Sequence, residues 1–423
     1  MQPRKTRTLP PFPSSLPSPA AAKLTTEYDF RTITPAFGAG VEGRIPDDYT
    51  PVRGTTVRGH LRFWWRATRG RQFNNAQQLR AAESAIWGDT KTRSPIAVEV
   101  FDIKTKRSTA DVLIGENSDL TYALFPFNEM GRESAAPYWS SLSFGLRLTC
   151  PENLSKDAEA ALWAWSNFGG IGARTRRGCG ALYCQQFAPP VAANISAWFR
   201  NQPDYLIRSG NDPPDWATLF RAPLVKAVKP NDPLSAWLAG LRLLQEFRQL
   251  PPIGRSGTAG QATTYSRSYW PEADSLRAIT GQGIPGHMTP QTTTDAFPRA
   301  EFGLPIQITF RSRAKSPLDE INNCTLLPED KESNRLASPL ILRPLAFGDG
   351  KQAVSAIHLV SRPTLAGVRV VFKEKRLGEK SLGPASVARP DLAKYPRSPL
   401  QGSASGSAVD AFLAFADKRG FRS

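Results

Sequence analysis

Arg58, Arg62, Arg66 and Arg69 recur at helical spacing in PVRGTTVRGHLRFWWRATRGR, residues 51–71. At about 100° per residue they share an arc roughly 80° wide, next to an arc carrying Val57, Leu61, Trp64, Trp65 and Thr68. This pattern predicts one helix with a face to bury and a cationic ridge beside it. Thr55 or Thr56 is placed to cap its first amides. No Asp or Glu lies between Asp48 and Glu83, so the ridge, with Arg53 leading into it, has no partner close in sequence. Guanidinium groups of one sign on one arc suit phosphate, which they can bind in bidentate fashion.

A second constellation is GGIGARTRRGCG, in which Gly169, Gly170, Gly172, Gly178 and Gly180 surround Arg174, Arg176 and Arg177. No Asp or Glu occurs between Ala160 and Pro203. Glycine admits positive φ and lets backbone amides approach an anion. The loop lacks GK[ST] and runs from a predicted helix into a predicted strand, which excludes a Walker A loop and a dinucleotide fingerprint. The remaining reading is a loop whose amides cradle a sugar-phosphate chain while three arginines clamp it.

Charge points the same way. The 423 residues carry 54 basic against 37 acidic groups, a net charge of +17, which calls for a polyanionic partner such as nucleic acid. Arginine outnumbers lysine, 38 to 16, favouring phosphate forks and base stacking. Cys150, Cys179, Cys184 and Cys324 form no CxxC pair, and His60, His287 and His358 lie far apart, so neither a zinc site nor a disulfide framework is expected. No apolar run reaches the roughly 18 residues of a membrane span, and a cytoplasmic protein without cofactors is expected.

These elements need a scaffold. The basic, Pro/Ser-rich residues 1–25 read as a flexible arm. From there EYDFRTITPAF alternates as a strand, followed by the Arg-lined helix and a second helix from Gln77 to Trp87. SPIAVEVFDI and SFGLRLTC read as strands, and Ser155 as the cap of a helix ending at Phe168. ALYCQQF closes the set as a last strand. This order, with long loop insertions, is that of a ferredoxin-like βαββαβ unit over residues 26–190. After a linker over 191–232, residues 233–423 suggest a second α+β domain: a periodic helix from Pro233 to Leu250, another beginning at Pro271, and strands in GLPIQITF, SPLILRPL and GVRVVF. Pro305, Pro339 and Pro344 indicate edge strands or strand starts. A terminal helix, DAFLAFADK, must dock on the body or on a neighbour.

VRGTTVRGHLRFWWRATRG and FGGIGARTRRGCG, at this separation, resemble the RAMP superfamily of CRISPR proteins, and within it the first RAMP subunit family of the type III-B (Cmr) RNA-targeting effector. SRSYWPEADSLRAI, AEFGLPIQITF and RLASPLILRPL extend the resemblance into the second half. It implies an α+β fold of two tandem ferredoxin-like (RRM-like) domains with a Gly-rich loop before the last strand. It also implies a non-catalytic subunit that holds the 3′ side of a guide RNA and helps capture target RNA beside other RAMP subunits. The RNA-binding residues would then be Arg53, the four ridge arginines and the glycines and arginines of the Gly-rich loop. Two alternatives stay open: a metal-independent guide-processing RNase using His60 as acid or base, and a scaffold without RNA contact. Asp47 and Asp48, before the Arg-lined helix, are the other candidates for catalysis, although paired loop acids are common. His60 lies off the arginine arc, which favours packing over catalysis.

Overall fold

The structure, a computed structural model, describes residues 22–38, 40, 42–116, 120–129, 133–191, 195–207, 215–219, 224–226, 231–257, 267–283, 287–310, 323–361 and 365–422. Most of the expected N-terminal arm lies outside these residues, as do parts of the expected linker and of the loops near residues 260, 285 and 315.

The first half is built in the order β1 (Lys23–Thr32), β2 (Ala36–Phe37), α1 (Gly54–Arg69), α2 (Ala76–Trp87), β3 (Ala97–Thr109), α3 (Ala110–Glu116), α4 (Thr121–Leu124), β4 (Pro137–Pro151), α5 (Ser155–Phe168) and β5 (Leu182–Tyr183). Along the sheet the strands run β5–β1–β4–β3, every pair antiparallel, with β2 beside the start of β4. With α1 and α5 as the crossovers, this is βαββαβ connectivity, and α3 and α4 are an insertion between its two middle strands. The pattern read from residues 57–68 is obeyed: Val57, Leu61, Trp64, Trp65 and Thr68 are all buried, packed with Phe30, Phe144, Leu162 and Trp165. Trp64 and Trp65 therefore belong to the core.

Three local expectations change. Neither Thr55 nor Thr56 caps α1, which begins at Gly54 with Arg53 at its N-cap and no side-chain cap bond. Ser155 lies inside α5 and bonds the Glu152 carbonyl instead. The closing strand spans only Leu182–Tyr183 and gives way to a 3-10 turn over Gln185–Phe187. The Cys184 thiol is buried at this change of conformation, next to the Gln186 side chain.

The second half comprises α6 (Ile195–Arg200), β6 (Leu224–Lys226), α7 (Pro233–Gln249), α8 (Pro271–Thr280), β7 (Ile306–Ile308), β8 (Cys324–Pro328), β9 (Leu340–Phe347), β10 (Gln352–Leu359), β11 (Val368–Phe372), β12 (Glu379–Leu382), α9 (Ala408–Lys418) and β13 (Phe421–Arg422). Its strands form two antiparallel sheets, β13–β6–β10–β9 and β12–β11–β8–β7. β6 lies within the stretch read as a linker, so that stretch contributes to a sheet. Pro305 and Pro339 directly precede β7 and β9, and Pro344 lies within β9, an edge strand of its sheet, where a missing amide costs no ladder bond. α9 docks as required: Phe412 is buried against Phe247 and Phe302, and Glu301 accepts from the Ser407 hydroxyl and the first amides of the helix.

SRSYWPEADSLRAI is a structural knot. Asp274, fully buried, accepts from Arg267 at 2.8 Å, from the amides of Gln291 and Thr292, and from the Thr292 hydroxyl. Glu272, also buried, pairs with Arg299 at 3.1 Å. Buried carboxylates persist when ion pairs and hydrogen bonds compensate their charge, and here they secure α8.

Candidate nucleic-acid interface

The cationic ridge is largely neutralised within the fold. Arg62 Nε and Arg66 Nη1 share one oxygen of Glu83, at 2.7 and 2.5 Å, and the Glu83 side chain is only 8% exposed. Arg69 is 3% exposed; its Nε donates to Asp157 at 2.9 Å and its Nη2 to the Lys156 carbonyl at 3.1 Å. Arg53 pairs with Asp47, which also accepts from the amides of Tyr49 and Thr50. These bonds hold the Asp47 carboxyl well below the ordinary carboxylate range, the Arg53 contact most strongly. The expectation of an unpartnered ridge therefore fails at Arg53, Arg62, Arg66 and Arg69. Arg58, half-buried, is the ridge member without an ion-pair partner among the described residues. Asp48 pairs with Arg107, so neither loop acid is a free carboxylate. Glu83→Gln leaves two guanidinium groups competing for a neutral amide; stability should drop by about 1–3 kcal/mol, measured by chemical denaturation.

The Gly-rich loop presents a different balance. Its amides are mostly spent inside the protein: Gly169 donates to Trp165, Gly178 to Thr175 and Gly180 to Pro35, while Ala173 donates to Phe37. An amide cradle is therefore not what Gly169, Gly178 and Gly180 provide. Glycine is needed for close packing. At Gly172, φ is +88° and a Cβ would stand 2.5 Å from the Phe37 carbonyl oxygen. At Gly178, φ is +83° and a Cβ would meet the Trp237 ring at 2.6 Å and the Leu342 oxygen at 2.8 Å. A Cβ on Gly170 would press on the Gly180 carbonyl, 2.8 Å away. The loop lies in the seam between β2, α7 and the outer edge of β9.

Its arginines fan out from that seam. Arg176 donates to the Ser338 carbonyl and lies 5.8 Å over the Phe63 ring on α1. Arg177 reaches the Leu340 carbonyl at 3.4 Å, and Trp237 Nε1 donates to its backbone oxygen at 2.6 Å. Arg174, in the left-handed region at φ 58°, lies 4.9 Å over the Phe125 ring. All three are half-buried, and none has a carboxylate partner among the described residues. Burial lowers the pKa of each, with Arg177 pushed down to about 10. Guanidinium groups kept charged against desolvation are relieved by a bound anion.

Sequence reasoning overlooked the residue that fixes the start of this loop. Arg343, in the middle of β9, is 1% exposed and donates to the carbonyls of Ser166 at 2.9 Å, Gly169 at 2.6 Å and Leu182 at 2.5 Å. Two of these acceptors lie at the end of α5, where helix carbonyls lack internal partners. Burial pushes its guanidinium down to about 9. The signal was a lone arginine inside the apolar run LILRPL.

His60 stacks on Trp165 with ring centroids 5.6 Å apart, and burial lowers its pKa. This contact ties its ring to the core residue Trp165. Among the described residues no group of His, Cys, Asp or Glu is placed to hold a metal ion, and no helix is long and apolar enough to cross a membrane.

Comparison with known proteins fits this geometry. The RAMP superfamily model matches residues 29–183, from β1 through the Gly-rich loop to β5. CRISPR system Cmr subunit Cmr1-1 of Pyrococcus furiosus is 28% identical over 160 residues, which span 37% of this chain but only 46% of that protein. Cmr subunit Cmr1-2 of the same organism is 32% identical over 180 residues, covering 37% of this chain and 94% of that protein. The crystal structure of Cmr1 from Pyrococcus furiosus in its apo form shares the fold, with a TM-score of 0.50 at 16% identity over 81% of this chain and 89% of that one. From the sheet order, the Gly-rich loop and a relative matched along nearly its whole length, the chain belongs to the RAMP superfamily, among its Cmr1-type Cmr subunits.

Proposed function

We propose that this chain is a non-catalytic RNA-binding subunit of a type III-B CRISPR effector. In this reading it holds the 3′ side of the guide RNA, helps capture target RNA, works beside other RAMP subunits and needs no cofactor. Its first half is a ferredoxin-like domain and its second a strongly diverged copy of the same plan. The observation that carries the reading is the set of three half-buried loop arginines, Arg174, Arg176 and Arg177, which have no carboxylate partner among the described residues. With Arg58 they make four cations for phosphate. Sequence choice is left to base pairing, since phosphate contacts position an RNA without reading it.

The test is binding of the purified chain to short single-stranded RNA across a salt series. Each neutralised phosphate contributes about −0.7 to the slope of log affinity against log salt, so four arginines give a slope of about −3. A slope near zero rejects the reading, and binding only in the presence of other subunits favours the scaffold alternative. The same RNA should remain intact with or without divalent metal, for wild type and His60→Ala alike. Cleavage that disappears in His60→Ala would instead assign a nuclease.

A further inference from the structure

The α3–α4 insertion presents an aromatic face. Leu120, Ala123, Leu124 and Phe127 are buried with Phe37, Trp237 and Leu241, anchoring the segment to both halves of the molecule. Two of its rings are more accessible: Tyr122 is half-buried and Phe125 is 57% exposed. Each meets an arginine from a different element. The Arg174 guanidinium of the Gly-rich loop lies 4.9 Å over the Phe125 ring, and Arg248 of α7 donates from Nη1 to the Tyr122 hydroxyl at 3.1 Å. Neither arginine has a carboxylate partner among the described residues, and Arg248 Nε is buried without an acceptor. Within four residues, two rings and two uncompensated cations are thus gathered from separate parts of the chain.

We propose that this face is a nucleobase-stacking site, in which Phe125 takes a base of single-stranded RNA and Arg174 and Arg248 hold the flanking phosphates. The inference rests on the RNA-binding reading above and extends the RNA path from the Gly-rich loop onto the second half. Uncompensated positive charge excludes a cationic partner, and an exposed ring beside it favours a flat anionic ligand over a bare anion. Because every base offers a π-face, the site takes any base, and because duplex bases are already stacked, it takes single strands.

The experiment measures fluorescence anisotropy of the full chain with a labelled single-stranded RNA of mixed sequence and with the same strand made abasic. Phe125→Ala should weaken binding to the ordinary strand about tenfold, and Phe125→Trp should stay within about twofold of wild type. On the abasic strand Phe125→Ala and wild type should agree. The proposal is overturned if Phe125→Ala binds ordinary RNA as wild type does. It is also overturned if the loss is equally large on the abasic strand, since the ring would then merely prop Arg174. If wild type binds neither strand, the RNA-binding reading itself falls and this site with it.

Discussion

Arg343→Met should be the most damaging single substitution in the seam between the halves. Methionine keeps much of the volume but leaves the carbonyls of Ser166, Gly169 and Leu182 buried without a donor. Each orphaned acceptor costs about 1–3 kcal/mol, so a total loss of about 4 kcal/mol is expected after partial relaxation. With unfolding entropy of about 2.1 cal/mol/K per residue, this lowers the melting temperature of a chain of this size by about 4–5 °C. Arg343→Lys should recover only part of it, because one ammonium lacks the planar fork that reaches three acceptors. Calorimetry of the three proteins checks the order. Equal melting temperatures would mean that these carbonyls find other donors.

Replacing Arg174, Arg176 and Arg177 together by alanine should have the largest effect on RNA. Losing three phosphate contacts makes the salt slope shallower by about 2, which near 0.1 M salt is a fall of about 100-fold in affinity. The substitution also removes the bonds to the Ser338 and Leu340 carbonyls, so a small drop in melting temperature should accompany it. Arg174→Ala alone separates the two effects, since the contact of Arg174 with Phe125 is a ring contact at the surface. It should weaken RNA binding with no measurable change in melting. Unchanged affinity in the triple variant would remove the loop from the interface.

Periodicity made α1 legible because a helix repeats every 3.6 residues and its apolar arc must be buried. The βαββαβ order could be read for the same reason, each crossover helix and strand carrying its own pattern. A helical wheel assigns faces without saying what stands opposite them, and here the ridge was misread. Glu83 is the first acid after the acid-free stretch, on the helix that packs beside α1, and Asp157 lies 88 positions from Arg69. The Gly-rich loop was legible as a special backbone, yet most of its paired amides close turns within or beside the loop, and the amides of Ala173 and Gly180 satisfy the Phe37 and Pro35 carbonyls, which only the folded chain brings near. Arg343 was hidden because an arginine within an apolar strand looks like an exposed edge residue until its acceptors are known. The second half was legible as helices and strands but not as two sheets, because strand pairing across long loops leaves little local trace.

The bonds from Arg176 to the Ser338 carbonyl and from Arg177 to the Leu340 carbonyl join the Gly-rich loop to the beginning of β9. Under the proposed function, the loop that receives the RNA also closes the open rim of a sheet belonging to the other half of the molecule. Ligand grip and inter-half cohesion then share one free energy, and linkage makes the exchange mutual. A strand of RNA would act as a clasp, fastening the two halves while it is held, and a chain loosened at the clasp would let the RNA go.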